Sequence, residues 1–213
     1  MPLFSKHIED NYQWGVWKID ECMEELLSMI PDQKREEYER EIQHFASINR
    51  RLEWLSVRIL LYILLGEEKK IMYCTNGKPY LSDYSYHISI SHTRGYAVII
   101  LSSVTEVSID IEQYGERIRR VAHKFMHDDE QPSVYFNSDV WSLLLHWSAK
   151  EVMFKCCMNT TFIDFRKHFR IYPFQIQEQG IFQAKEYYTI KQQGFLIHYL
   201  IRPEFVITWQ VTE

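Results

Sequence analysis

"VSIDIEQ", residues 107–113, decides how the chain divides. Its β-branched residues alternate with polar ones, the two-residue period of a strand. Residues i and i+2 of a strand share a face, so Asp110 and Glu112 point one way and Ile109 and Ile111 the other. An unpaired carboxylate aimed into a core is very costly. On spacing alone two readings stay open. The pair is either solvated on the outer face of an edge strand, or converges on a hard cation such as Mg²⁺.

Working outward, the residues before this strand also read as strands. "KIMYC", "YHISIS" and "GYAVIIL" are β-like, and "TNGKP" (75–79) carries the Asn-Gly signature of a tight turn. Further upstream, "WGVWKI" (14–19) reads as a short strand, and Asp20 as the cap of a helix over "ECMEELLSMI" that stops before Pro31. "DQKREEYEREIQHF" (32–45) is a charged, solvated helical arm. Ser47 caps "INRRLEWLSVRILLYILL" (48–65), and Gly66 closes it. Downstream, a helix is predicted over about 116–126 and a second over 137–157, capped by Asn137 or Ser138. The tail, about 170–211, reads as strands: "EYYTI", "FLIHYLI" and "EFVITWQV". The order helices, strands, helices, strands points to α+β. Each half closes on an apolar strand, "YAVIIL" and "FVITWQV", which suggests two similar halves, 1–103 and 104–213.

A chain of 213 residues, 46% of them hydrophobic, can bury a real core. Its net charge of −5 argues against bulk electrostatic binding to nucleic acid, so an anionic ligand needs a local basic cluster. Cys22, Cys74, Cys156 and Cys157 show no CxxC spacing and read as reduced thiols. The N-terminus is charged, and the longest apolar run, "LSVRILLYILLG", is broken by Arg58 and too short to span a bilayer. The expectation is a cytoplasmic monomer with no nucleic-acid or membrane partner.

Three further pieces are each ambiguous alone. Glu151 and Lys155 stand i, i+4 on one helical face, as a surface ion pair or as functional groups. Ser91 and His92 end one strand and Gly95 opens the next, giving either a polar turn or a phosphate grip. "NGKPYL" is a turn with a cation.

In order, the chain carries G-K-P, S-x-S-H, I-D-I-E and W-S-x-K-E-x-x-x-K. That series resembles the 4′-phosphopantetheinyl transferase superfamily, in its larger surfactin-synthetase-activating type, from about residue 31 to residue 155. The resemblance implies two α+β halves related by a pseudo-twofold, with coenzyme A and Mg²⁺ in the cleft between them. It implies transfer of phosphopantetheine from coenzyme A to a serine of an apo acyl or peptidyl carrier protein. On the same resemblance Asp110, Glu112 and Glu151 hold Mg²⁺, and Glu151 takes the serine proton. Lys155 neutralises the leaving 3′,5′-ADP while His92 and Ser91 grip phosphate. Lys34, Arg50 and Arg51 meet further phosphate, and Gly77, Lys78 and Pro79 lie against adenine.

The family usually has glycine before I-D-I-E, where this chain has Ser108. A side chain there is expected either to crowd the pyrophosphate or to bond it. Two rivals remain: a Mg²⁺-dependent phosphohydrolase or nuclease, and an inactive relic that binds coenzyme A or a carrier. Nucleases with comparable residues place the lysine two residues after an acid on one strand, unlike Glu151 and Lys155. Carrier proteins are generally acidic, and "GERIRRVAHKF" (115–125) offers Arg117, Arg120 and Lys124 on one helical face to meet one.

Overall fold

A computed structural model describes residues 3–157 and 163–212. The fold is mixed α+β, and the chain forms two compact units. One comprises the residues up to Cys74 with Pro79–Thr105; the other comprises Thr75–Lys78 with the residues from Glu106 onward.

The first unit opens on two strands, the second of which covers most of the strand read at 14–19. β1 (Leu3–Ile8) pairs antiparallel with β2 (Gln13–Lys18). The sequence reading missed β1 because its burial alternates between half-covered and exposed, as expected of an edge strand. Three helices follow: α1 (Met23–Ser28), α2 (Asp32–Ile42) and α3 (Ile48–Leu65). Cys22, not Asp20, occupies the cap position of α1, with Glu25 reaching back to its N–H. Gly66 closes α3 at φ 73°, the left-handed turn predicted for it. α3 packs closely on β2: a Cβ on Gly15 would stand 3.0 Å from Leu60 Cδ1. The hairpin β3 (Ile71–Tyr73) and β4 (Pro79–Leu81) precedes β5 (His87–Thr93) and β6 (Tyr96–Ser102). The resulting sheet runs β1-β2-β6-β5, with every residue of β6 buried.

In the second unit, β7 (Val107–Gln113) leads into α4 (Arg117–Val121), which continues as a single 3₁₀ turn over Ala122–Lys124. The helix predicted over 116–126 is therefore shorter and tightens at its end. α5 (Val140–Cys156) is apolar nearly all round and runs through the core. α6 (Phe165–His168) and β8 (Phe169–Ile171) precede β9 (Gln179–Glu186), β10 (Gly194–Arg202) and β11 (Phe205–Val211). All pairings are antiparallel in the order β7-β11-β10-β9-β8. "EYYTI" is not a strand beyond Glu186. The buried Glu186 carboxylate instead accepts from the N–H groups of Tyr188, Thr189 and Gln193, which folds the segment into a loop. Among the described residues no helix is long and apolar enough to cross a membrane.

Candidate functional site

β7 is an edge strand, yet both of its faces are covered. Ile109 and Ile111 are buried on one side, while Asp110 is 4% exposed on the other. The second face looks onto α5, so the two carboxylates meet a helix rather than bulk water. Helical spacing then puts Trp147, Ser148, Glu151 and Lys155 along that contact.

Each acid is individually held. Ser148 Oγ donates to Asp110 Oδ2 at 2.8 Å, and Lys155 Nζ donates to Asp110 Oδ1 at 2.9 Å and to the Ile109 carbonyl at 2.8 Å. Ser148 Oγ also lies 2.7 Å from Thr208 Oγ1. A hydroxyl has one proton, and that of Ser148 goes to Asp110, so Thr208 donates to Ser148. Trp147 Nε1 donates to Glu112 Oε1 at 2.7 Å. Strand and helix are thus joined by polar bonds wherever a carboxylate would otherwise face apolar surface.

The electrostatics are those of crowded acids. Burial, then the charge of Asp110, pushes Glu112 up to about 7, against the Trp147 hydrogen bond. Burial and Asp110 likewise push Glu151 up to about 7, with Lys155 opposing. The negative charge of the cluster is only partly compensated by Lys155. Oxygen donors with uncompensated charge suit a hard divalent cation, so the chemistry of the set fits Mg²⁺. The acids are not gathered into a finished cage, however. Among the described residues no three His, Cys, Asp or Glu side chains stand arranged around one ion.

Ser108 does not reach toward a ligand. It is buried, and its Oγ donates to the Val152 carbonyl of α5 at 3.1 Å. The expectation that it crowds or bonds a pyrophosphate is replaced by a strand-to-helix bond.

Behind α5 stands a pair that the sequence reading did not single out. Lys150 and Glu130 are both fully buried, with Nζ 2.6 Å from Oε2 and 2.6 Å from the Phe125 carbonyl. Glu130 also accepts from His127 N and Ile171 N, each at 2.7 Å. One carboxylate therefore joins α5, the segment after α4, and β8. Lys150 lies within W-S-x-K-E, so the motif marked its position without indicating its partner.

In the first unit the predicted anion-binding residues separate. Arg50 NH1 reaches His92 Nε2 at 2.6 Å and Glu53 Oε2 at 3.2 Å, and His92 Nδ1 lies 3.4 Å from the same Glu53 oxygen. Arg51 instead donates from Nε to the Phe45 carbonyl, and Lys34 pairs with Glu37. Ser91 is half-buried on β5 opposite Val98. Arg50, with Arg58, Tyr38, Phe45, Trp54 and Tyr73, lines a cavity of about 570 Å³. Arg58 lies 3.2 Å above the Trp54 ring, a stacked cation that the sequence reading did not single out. Gly77, in the Thr75–Lys78 segment of the second unit, turns the β3–β4 connection at φ 84°, Lys78 Nζ of the same segment pairs with Glu106 at 2.7 Å, and Pro79 opens β4.

No curated protein significantly matches the chain. Residues 106–209, which include β7, α5, Asp110, Glu112, Glu130 and Glu151, match the family model of the 4′-phosphopantetheinyl transferase superfamily.

Proposed function

We propose that the protein transfers 4′-phosphopantetheine from coenzyme A to a serine of an apo acyl or peptidyl carrier protein, releasing 3′,5′-ADP, as an enzyme of the surfactin-synthetase-activating type. The observation that carries this reading is the cluster of Asp110, Glu112, Glu151 and Lys155 on β7 and α5, inside the matched segment. Asp110, Glu112 and Glu151 are the residues that would hold Mg²⁺. When bound, the ion would supply charge stabilisation for the pyrophosphate of coenzyme A as its bond to the departing 3′,5′-ADP breaks.

The chain's own groups have distinct tasks. Glu151, its pKa lifted to about 7 chiefly by burial, is suited to accept the proton of the attacking serine near neutral pH. Lys155 fixes Asp110 and would supply positive charge to the departing phosphate. Trp147 and Ser148 orient Glu112 and Asp110, while Lys150 and Glu130 fix α5 behind them. Arg50 and His92 are the strongest phosphate-gripping candidates of the first unit. Lys34 and Arg51, both engaged elsewhere, are assigned secondary roles, and Gly77, Lys78 and Pro79 are assigned to the adenine.

The test is release of 3′,5′-ADP from coenzyme A in the presence of Mg²⁺. It should require an apo carrier with its serine intact, and a serine-to-alanine carrier should give none. Release without any carrier would favour a phosphohydrolase. No release with a panel of carriers, while coenzyme A still binds, would favour an inactive relic.

A further inference from the structure

We infer that a phosphate ester binding at Arg50 and His92 draws one proton from solvent onto His92, and that Glu53 is the positioning residue that makes this uptake possible. The inference rests on the coenzyme A reading only for the identity of the ester.

The tautomer of His92 follows from its partners. A guanidinium can only donate, so His92 Nε2, 2.6 Å from Arg50 NH1, carries the lone pair. The single ring proton therefore sits on Nδ1, facing Glu53 Oε2 at 3.4 Å. Glu53 accepts from Arg50 as well, at 3.2 Å, so one carboxylate holds both cation and imidazole. Its side chain is 20% exposed, against 45% for Arg50, so Arg50 is the more accessible of the two.

In this state Nε2 cannot donate to anything. An ionised phosphate oxygen is an acceptor only, and two acceptors cannot share a hydrogen bond without a proton. For His92 to hold phosphate, Arg50 must turn from Nε2 onto the anion, and Nε2 must take a proton. The imidazolium then has Nε2–H toward phosphate and Nδ1–H toward Glu53. An anion on one side and a carboxylate on the other both favour the charged ring. The charged groups that the described contacts bring to His92 are Arg50 and Glu53 on α3. Arg94 of the β5–β6 turn lines a second cavity together with His92 and Glu53, and the cross-strand partner on β6 is the uncharged Ala97. That cavity, about 540 Å³ and also lined by Asn49 and Leu52, gives a ligand room beside the ring.

Glu53 is thus more than a surface ion-pair partner. Removing its charge leaves the geometry of α3 intact but takes away the group that supports the imidazolium. Glu53→Gln should therefore lose proton uptake, whereas a purely structural residue would change affinity without changing the proton count.

The test is isothermal titration of the full chain at pH 7.5 with 3′,5′-ADP, and separately with inorganic pyrophosphate, in buffers of different ionisation enthalpy. An ordinary imidazole is mostly neutral at this pH, so uptake should be about 0.5–1 proton per ligand in the wild type. Glu53→Gln should at least halve that count and weaken binding about threefold to tenfold, and Glu53→Asp should restore part of both. Side-chain ¹⁵N spectra should show His92 protonated on Nδ1 alone in the free protein and on both nitrogens in the complex. 3′,5′-ADP binding with no buffer dependence would overturn the inference and leave the coenzyme A reading standing. Pyrophosphate binding with uptake, but no binding of 3′,5′-ADP, would do the reverse. Binding of neither would sink both. Should Glu53→Gln not fold, the wild-type proton count and the ¹⁵N spectra still decide.

Discussion

Trp147 Nε1 donates to Glu112 Oε1 across 2.7 Å, so an indole on α5 holds a carboxylate on β7. The bond works against the burial that raises Glu112, and it fixes which oxygen stays open. Trp147→Phe keeps most of the ring and removes only the donor. Transfer should fall about tenfold to a hundredfold, the usual cost of losing a group that orients a ligand, while the circular dichroism spectrum stays unchanged. Wild-type rates in Trp147→Phe would show that Glu112 needs no such support.

The Lys150–Glu130 pair calls for a stability measurement. Both side chains have no exposure, and removing one leaves the other charged and alone in the core. Urea unfolding of Lys150→Met should show a loss of about 3–5 kcal/mol. The double change Lys150→Met with Glu130→Gln should recover part of it, because no buried charge remains. The recovery should be incomplete, since a glutamine oxygen cannot satisfy both His127 N and Ile171 N as the carboxylate does. A loss under about 1 kcal/mol for the single change would contradict the burial argument.

Crowded carboxylates also set a pH dependence for the metal-free protein. Glu112 and Glu151 stand at about 7 in the folded chain, above the ordinary 4.5. Between those values the folded state binds more protons than the unfolded one, so stability falls as pH rises through the window. Melting of the metal-free protein should be several degrees higher at pH 5.5 than at pH 7.5, about 1–2 kcal/mol. Asp110→Asn should weaken that dependence without abolishing it, because burial, the larger cause, remains when the Asp110 charge is removed. Mg²⁺ at pH 7.5 should raise the melting temperature of the wild type more than that of Asp110→Asn. A wild-type melting temperature that rises from pH 5.5 to 7.5 would refute the assignment.

The carrier-docking face can be tested by charge reversal. Ile118 and Phe125 are buried and anchor α4 and its 3₁₀ turn, leaving Arg117, Arg120 and Lys124 exposed. Arg119 is engaged with Glu116 and Asp139, whereas Arg117, Arg120 and Lys124 make no ion pair among the described residues. Arg117→Glu with Arg120→Glu should raise the KM for carrier several-fold and leave the KM for coenzyme A in place. Added salt should weaken the wild type more than the reversed protein. Equal carrier KM values for the two proteins at low salt would put docking elsewhere.

The central strands and helices were legible in the sequence because burial and period agree there. β6 is apolar throughout, α3 closes at Gly66, and β7 shows Asp110 and Glu112 on one face. What escaped were features set by long-range partners. β1 is an edge strand with only half its residues covered, and the segment after Glu186 turns because a buried carboxylate collects its N–H groups. Glu53 and Glu130 escaped for the same reason: each looks like an ordinary helix or turn acid until a histidine or lysine from elsewhere meets it. Ser108 was read against a ligand, but α5 was its partner, which only packing could reveal.

The most direct measurement is the intact mass of an apo carrier protein after incubation with coenzyme A, Mg²⁺ and either the wild-type protein or Asp110→Ala. With the wild type, the carrier should gain the mass of one phosphopantetheine on its serine. With Asp110→Ala, folded but without the acid that Ser148 and Lys155 hold, the gain should nearly vanish. A carrier modified at the same rate by both proteins would contradict the role given to the acids of β7 and α5.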